Sequence, residues 1–489
     1  MTRIVKPLRT IVITALAGCL LTTPIPGVVS ADPGGAAPSG PQQWIDNTVP
    51  APNLPASAPP NARLSPQLAA LWRAVQSPPA GDPIFDAWPS DLHGLHPGDI
   101  ISARDVTATS APLAAVPIQR ALLLKFRTTD GNGQPSFGTA TLVIPAAAWT
   151  GPGGRPVVVN ALPINSLGLR CTPSYAMAHG PHAKFSIGDL IPPTTWWGLS
   201  RGYAVLIPDH EGPRMAYADP NVAGHIVLDA IRAVRARDPK QFSHSRVAIA
   251  GYSGGAIASY SAAMLQHEYA PELNGVLAGV TTGGLVTDYR NIAHKFNGNM
   301  ASGILLVVAL AAAREHPELL RYLNHPGQWA ATSPVKDTCG DSNGPLGVTG
   351  VPIQIATTIA DPLNSPVAQQ IFAEWDLRGR TSGAPMYIYH AVWDIWIPAK
   401  DSQDLFAAQC SRGVRAVLRT VPGEHAIGMF AGFIGAIQWL DDRLRGRAAP
   451  SECPAGAATS MAHPTSATTA RQTTPALPAD PRASARPES

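Results

Sequence analysis

A single serine surrounded by glycines is the feature of this sequence that most restricts its fold. The stretch "RVAIAGYSGG" (residues 246–255) is an apolar run that ends at Gly251, and Ser253 then stands before the pair Gly254 and Gly255. Glycine loses more conformational freedom on folding than other residues, so three of them here indicate a backbone shape that other residues cannot adopt. The pattern predicts a strand that turns sharply into a helix of small residues.

This strand-turn-helix context gives the Gly-x-Ser-x-Gly pattern a chemical meaning. In a nucleophile elbow the turn lifts the serine to the carboxyl edge of the sheet, and the flanking glycines leave room for the neighbouring strand and helix. Backbone N–H groups at the helix start then point to where an oxyanion would form. We therefore predict that Ser253 is a nucleophile. The alternative, a glycine-rich turn with an idle serine, does not explain the position of the serine.

Short apolar runs alternate with helical patterns along the rest of the chain. Runs that we interpret as strands cover residues 155–163, 202–209, 245–251, 275–283, 351–361, 385–391 and 415–423. Most are continuously apolar, which is typical of a parallel sheet covered on both faces. A helical pattern at 221–237 lies between two of them, and two further runs flank the turn "TDGNGQPS" as an antiparallel hairpin. The order of the elements predicts an α/β fold.

Size and composition limit the other possibilities. The 489 residues suggest two domains or one large domain with an insertion, and 45% hydrophobic against 14% charged residues is sufficient for a large core. A net charge of +3 is too small to suggest a nucleic-acid binder. Residues 286–367 interrupt the strand rhythm and contain the apolar stretch 301–323, which is either a buried helix or a cap helix over an apolar pocket.

The N-terminus has the features of an export signal. The basic residues Arg3, Lys6 and Arg9 precede an apolar stretch, and small residues at 29–31 offer a cleavage site, which predicts a signal peptide over residues 1–31 and a secreted protein. An alternative is a lipoprotein signal, because "LAGC" resembles a lipoprotein box that would carry a lipid on its cysteine, Cys19. The apolar run continues past that cysteine, which favours secretion over anchoring at the cell surface.

Segments of low complexity flank the folded part. Residues 32–62 are rich in proline and alanine and are predicted to form an extended leader, and residues 447–489 are predicted to form a disordered tail rich in Pro, Ala, Ser and Thr. The folded core is then expected in two parts, 63–285 and 368–446, with the insertion between them.

The partners of the serine follow from chain order. A serine hydroxyl needs a base, and the base needs a third group to orient it. In this fold the order is Ser, then Asp or Glu, then His. His425 in "TVPGEHAIG" follows a strand and a turn and is the favoured base. His316 and His325 lie in the insertion, where surface roles suit them better, and His210 precedes the serine and is predicted to be structural.

Two aspartates compete for the orienting role. Asp394 and Asp361 each follow a β-like run, but Asp394 lies one strand before His425, whereas a helix-like segment and a strand separate Asp361 from it. The predicted triad is therefore Ser253, His425 and Asp394.

The cysteines indicate disulfides. Besides Cys19 in the signal, the chain has Cys171, Cys339, Cys410 and Cys453, and an even number in an exported protein suggests two disulfides. Four cysteines permit three pairings, and spacing does not choose among them. Because no CxxC motif or Cys/His cluster occurs, a structural zinc is not expected.

Taken together, several stretches resemble the secretory lipase family of the Candida antarctica lipase A type. In chain order they are "CTPSYAM", "GYAVLIPDHEGP", "GYSGGA", "YAPELN", "YHAVWDIWIP" and "GEHAIG", from Cys171 to Gly428. The resemblance implies an α/β-hydrolase fold with a mostly parallel central sheet, an inserted helical cap and hydrolysis of lipid esters. It assigns the same three residues to the triad.

The resemblance also implies an oxyanion hole and a disulfide pattern. The hole would use the backbone N–H of Gly254 and Asn165, where the family carries an aspartate; an asparagine amide can donate at any pH. A one-residue slip in the alignment would place Ser166 there instead. The implied disulfides are Cys171–Cys339 and Cys410–Cys453.

The sequence thus predicts a secreted serine hydrolase for triacylglycerols and other fatty-acyl esters, with no metal or organic cofactor. Its partners would be an acyl-ester substrate and a lipid interface, with no nucleic acid, and its oligomeric state stays open. The alternatives are a cell-envelope acyltransferase with the same triad, a non-catalytic surface protein with this fold, and a peptidase.

Overall fold

A computed structural model describes residues 40–54, 64–183, 193–340 and 350–455. The predicted signal peptide, Cys19 and most of the predicted tail lie outside these residues. Within them, nine strands form one sheet: β1 Ile100–Asp105, β2 Ile118–Thr129, β3 Pro135–Pro145, β4 Val157–Ala161, β5 Ala204–Pro208, β6 Val247–Tyr252, β7 Leu277–Gly283, β8 Met386–Ala391 and β9 Ala416–Val421.

The helices are numbered in the same way. In the described residues they include α1 Gly40–Thr48, α2 Pro66–Ala74, α3 Pro83–Asp86, α4 Thr107–Ala114, α5 Pro173–His179, α6 Thr194–Ser200, α7 Pro220–Arg237, α8 Pro239–Phe242, α9 Gly254–Tyr269, α10 Tyr289–Phe296, α11 Ser302–Glu315, α12 His325–Thr332, α13 Pro366–Glu374, α14 Ala399–Ser411 and α15 His425–Leu444. In the part of the chain that the structure describes, no helix has both the length and the apolar character needed to span a membrane.

The sheet is mostly parallel and confirms the predicted α/β class. Its strand order is β1-β2-β3-β5-β4-β6-β7-β8-β9, with antiparallel pairing from β1 to β5 and parallel pairing from β5 to β9. Helices α7 and α9 cover one face and α15 covers the other. Because apolar layers lie on both faces, every residue of β4, β5, β6 and β8 is buried.

Two strand predictions differ from the structure. The run 351–361 is not a strand: it contains a 3₁₀ turn at Ile353–Ala356 and a single bridge from Thr357 to Leu323. Periodicity alone cannot separate a buried strand from another short buried segment, so an apolar run of this length is ambiguous. Conversely, β1 was not predicted, because it is a largely exposed edge strand without an apolar run.

The predicted leader is not extended throughout, because its residues 40–48 form α1. The side-chain amide of Gln42 is buried and donates to the carbonyl oxygens of Gln354 and Ile359 at 2.8 Å each. These carbonyls belong to the run 351–361, which was predicted as a strand. Thr357 also donates to both carbonyls, so the leader adds a second donor to each and ties α1 to the insertion.

Helices α10 to α13 lie between β7 and β8, where the insertion was predicted. Helix α13 begins near the predicted end at residue 367 and continues to Glu374, because Ile371 and Trp375 pack against Tyr289 of α10. The apolar stretch 301–323 is not one helix, since α11 ends at Glu315, before a proline.

Two disulfides join distant parts of the chain. The pairs are Cys171–Cys339 and Cys410–Cys453, with Cα atoms 5.4 Å and 5.3 Å apart. The first links the segment after β4 to the insertion. The second ties residue 453 to α14, and the backbone N–H of Glu452 also donates to the carbonyl of Ala416 at 2.9 Å. The start of the predicted disordered tail is therefore ordered as far as the structure describes it.

Candidate active site

Ser253 stands in a strained turn between β6 and α9. Its backbone has φ +53° and ψ −119°, a conformation that costs a non-glycine residue about 1–3 kcal/mol. The surrounding structure holds this shape, because the N–H of Ser253 donates to the carbonyl of Gly283 on β7 at 2.9 Å. The side chain is half-buried and stands at the carboxyl end of a central parallel strand.

The glycines beside the serine allow neighbouring backbone segments to approach the turn closely. A Cβ on Gly251 would lie 2.1 Å from the carbonyl oxygen of Gly255, and a Cβ on Gly255 would lie 1.9 Å from the carbonyl oxygen of Ala161 on β4. A Cβ on Gly254 would meet the carbonyl oxygen of Ile164 at 2.1 Å. The unusual backbone conformation thus belongs to the serine, and the glycines allow the turn to sit against its neighbours.

The structure brings Ser253, His425 and Asp394 into one hydrogen-bonded chain. The Oγ of Ser253 lies 2.9 Å from Nε2 of His425, and Nδ1 of that ring lies 2.6 Å from Oδ2 of Asp394. His425 is the first residue of α15, and Glu424 before it caps the helix by accepting from the N–H of Ile427 at 3.0 Å. The cap fixes the start of the helix and with it the imidazole.

Asp394 is held as a carboxylate in a buried position. Its side chain is only 1% exposed, and Oδ1 accepts from the N–H groups of Trp396 at 2.9 Å and Ile397 at 2.8 Å. Burial raises the pKa of this carboxyl. The hydrogen bond and charge of His425 and the N–H of Ile397 lower it by more than burial raises it, so its pKa lies below the ordinary value. The carboxylate is therefore ionised at neutral pH.

The competing candidates lie elsewhere. Asp361 accepts a hydrogen bond from the amide of Asn364 at 2.8 Å, within the insertion. His325 lies 3.6 Å from the carboxylate of Asp46. His316 was predicted on the surface, but it is 2% exposed because α11 and its neighbours enclose it.

Asn165 lies in the segment after β4, which packs against the start of α9 through the contact of Ile164 with Gly254. Its side chain is adjacent to Gly340, on which a Cβ would lie 2.0 Å from the Asn165 Oδ1. In Ser166, the N–H donates to the carboxylate of Glu211 at 3.0 Å, and Oγ accepts from the N–H of Gly340 at 3.1 Å. Ser166 is thus committed to structural hydrogen bonds.

Three buried side chains fix this segment; a structural role was predicted for His210, but none was predicted for Glu211 or Arg314. Nε2 of His210 donates to the carbonyl of Leu162 at 2.9 Å, and the carboxylate of Glu211 accepts from the N–H of Ser166 at 3.0 Å. Arg314 of α11 donates to the carbonyl of Leu167 at 2.7 Å. Burial lowers the pKa of His210 to about 4, so this ring is a neutral donor. In the sequence, the stretch "PDHEG", which contains His210 and Glu211, was the signal that could have indicated this role.

Gly284 is a second feature that sequence analysis missed. It has φ +57°, and a Cβ at this position would lie 2.8 Å from Cε1 of His425 and 3.0 Å from the ring of Tyr252. The hydroxyl of Tyr252 in turn donates to the backbone carbonyl of His425. Gly284 thus leaves room for the imidazole of His425, and Tyr252 holds the backbone of the same residue.

An apolar cavity of about 170 Å³ lies between the insertion and the core. It reaches α9 at Ile257, one turn after Ser253. Its lining is almost entirely apolar and includes Val286, Tyr289, Leu305, Ile371 and Trp375.

Known proteins share this architecture. A family model described as secretory lipase matches residues 195–452. Lipase 6 of Candida albicans is 28% identical and covers 77% of this chain and 84% of its own length. Secreted triacylglycerol lipase LIP1 of Malassezia furfur is 26% identical, with coverage of 76% and 77%. A Mycobacterium tuberculosis relative named probable inactive lipase MT1628 is 28% identical, with coverage of 76% and 83%.

The structure of Candida antarctica lipase A in its closed state is similar in fold. It has a TM-score of 0.67 at 24% identity and covers 76% of this chain and 88% of the other. The fold is therefore that of the α/β-hydrolases, as the resemblance implied, and the family and its relatives support a lipase or esterase activity. Because the family model matches more than half of the chain, this chain belongs to the secretory lipase family.

Proposed function

We propose that this protein is a serine hydrolase that cleaves fatty-acyl esters, triacylglycerols among them, with Ser253, His425 and Asp394 as its catalytic triad. The observation that carries the proposal is the pair of hydrogen bonds at 2.9 Å and 2.6 Å, which joins a strained serine to an imidazole and a buried carboxylate. A non-catalytic serine in a glycine-rich turn would not require hydrogen bonds to an imidazole and, through it, to a buried carboxylate.

The proposed reaction begins with acylation. Nε2 of His425 takes the proton of the Ser253 hydroxyl while Oγ attacks the ester carbonyl carbon. The imidazolium that forms keeps its Nδ1–H directed at Asp394, whose negative charge stabilises it. The C–O bond of the ester then breaks, His425 returns the proton to the leaving alcohol, and the acyl group stays on the serine.

Deacylation repeats these steps with water. His425 deprotonates a water molecule that attacks the acyl carbon, and the fatty acid leaves as Ser253 regains its proton. If an alcohol takes the place of water, the same site carries out acyl transfer. The apolar cavity near Ile257 supports an acyl substrate, because it can accept hydrocarbon away from water.

The oxyanion hole is proposed to consist of the backbone N–H of Gly254 and the side-chain amide of Asn165. Replacing Asn165 with alanine should lower kcat about a hundredfold, because one donor to the transition state is lost. In Asn165→Asp, activity relative to that of the unaltered protein at the same pH should rise as the pH falls, since a carboxyl donates only when protonated. Ester hydrolysis across a pH series measures both. Near-normal activity of Asn165→Ala with a large loss in Ser166→Ala would move the role to Ser166.

The organisation of the chain completes the proposal. Residues 1–31 would direct export and be removed, which is consistent with a family described as secretory. Residues 63–285 and 368–446 would form the catalytic core, and the helices between them would form a cap over the acyl site.

A fluorophosphonate probe and a series of esters test the proposed function. The purified protein should label at Ser253 and should hydrolyse p-nitrophenyl esters, tributyrin and an emulsified oil. Absence of labelling and of turnover would favour a non-catalytic protein, as the name of the mycobacterial relative suggests for that protein. Product formed mainly as a new ester when an alcohol is supplied would favour the acyltransferase.

A further inference from the structure

His390 is a buried histidine beside the proposed triad that the proposed mechanism does not use. It belongs to β8, is 3% exposed, and precedes Asp394 by four residues. A polar ring in a fully buried strand costs free energy unless its nitrogen atoms find hydrogen-bond partners. Both have them: Nε2 lies 3.1 Å from the carbonyl oxygen of Ile397, and Nδ1 lies 3.0 Å from the hydroxyl of Ser402 on α14. The ring is therefore fixed from two sides.

The neighbours of Nε2 decide the protonation of this ring. Besides the Ile397 carbonyl, the carboxylate Oδ2 of Asp394 lies 3.6 Å from Nε2, so this nitrogen faces two acceptors. Nε2 therefore carries a proton, and the hydroxyl of Ser402 donates to the unprotonated Nδ1. Burial is the largest influence on the pKa of His390 and lowers it below its ordinary value, although the nearby carboxylates of Asp394 and Asp401 act in the opposite direction. The ring is thus neutral at neutral pH.

A continuous series of hydrogen bonds links His390 to the triad. The backbone of Ile397 accepts from His390 at its carbonyl and donates from its N–H to Oδ1 of Asp394 at 2.8 Å. The other carboxylate oxygen, Oδ2, then faces Nδ1 of His425 at 2.6 Å. Loss of the His390 donor would release the carbonyl of Ile397 and let the segment 394–397 shift. Because a displacement of about 1 Å in a catalytic site can lower the rate about a hundredfold, this support bears on catalysis.

We propose that His390 is a positioning residue, which holds the segment after β8 so that Oδ2 of Asp394 points at Nδ1 of His425. The inference rests on the proposed function, because it concerns the orienting acid of that mechanism. His390 makes and breaks no bond in the reaction. It has to supply a neutral donor at Nε2, since a positive charge there would compete with the imidazolium of His425 for the carboxylate.

Two variants of His390 separate the donor from the bulk of the ring. His390→Leu keeps an apolar side chain in the strand without a donor, and kcat for a dissolved p-nitrophenyl ester should fall about tenfold to a hundredfold with little change in KM. His390→Gln can place an amide N–H near the position of Nε2 and should recover most of the activity. The matched control is His225→Leu on α7, which also removes a ring bonded to a backbone carbonyl, that of Thr129, and should keep normal kcat.

Proton NMR distinguishes positioning from a purely structural role and does not require turnover. The proton on Nδ1 of His425 should give a signal far downfield, because it lies in a short hydrogen bond to Asp394. His390→Leu should shift or broaden that signal, and His390→Gln should restore it. Nitrogen NMR of the unaltered protein should show His390 neutral with its proton on Nε2, which tests the proposal even if the leucine variant does not fold.

Several results would overturn the proposal. A folded His390→Leu protein with normal kcat and an unchanged downfield signal would do so, as would a glutamine variant no better than the leucine variant. An imidazolium at His390 at neutral pH, or a proton on its Nδ1, would have the same consequence. If the unaltered protein hydrolyses no ester, the proposed function fails, whereas the NMR signals still decide whether His390 orients Asp394.

Discussion

Replacing Ser253 with alanine should lower kcat by about 10⁵- to 10⁶-fold, to the level that binding and the oxyanion hole alone can sustain. We expect a loss this large because, in the proposed mechanism, the hydroxyl 2.9 Å from His425 forms the acyl bond and no other group replaces it. Steady-state hydrolysis of a dissolved p-nitrophenyl ester measures the effect, and fluorophosphonate labelling should disappear in parallel.

A glycine variant separates chemistry from folding at the same position. Ser253→Gly should be as inactive as Ser253→Ala, but its free energy of unfolding should exceed that of the alanine variant by about 1 kcal/mol, because φ +53° strains any residue with a Cβ. Denaturant unfolding gives the two values. Hydrolysis retained above one-hundredth of the wild-type rate in both variants would show that another group is the nucleophile.

Replacing Asp394 with asparagine should lower kcat by about 10⁴-fold while KM changes little. The amide keeps the size of the carboxylate but can present an N–H to Nδ1 of His425. The proton of the neutral ring would then sit on Nε2, which could no longer accept the proton of Ser253. Because Nδ1 of His425 lies only 2.6 Å from Oδ2 of Asp394, replacing the carboxylate by an amide acts directly on the position of the ring proton.

Asp361→Asn is the matched control for that variant. Asp361 also follows an apolar run and also loses its charge, but in the structure it accepts from Asn364 within the insertion. Its variant should keep normal kcat. A large loss in Asp361→Asn together with normal activity in Asp394→Asn would reverse the assignment of the orienting acid.

Local pattern was enough to predict the elbow and most of the sheet. The apolar run before Gly251 could only be a buried strand ahead of a tight turn, and chain order then limited the partners of Ser253 to a few residues. The same approach failed for the run 351–361, part of which forms a 3₁₀ turn without buried residues, and for β1, whose exposed edge position leaves no apolar signature.

The sequence by itself determined the α/β class, the elbow and a short set of candidates for each catalytic role, because these depend on neighbours along the chain. Only the tertiary structure decided that Asp394 and not Asp361 lies beside His425, that His210 and Arg314 hold the segment after β4, and that α15 exposes its large side chains. These features join residues far apart in sequence, and their contacts depend on how strands and helices pack in three dimensions.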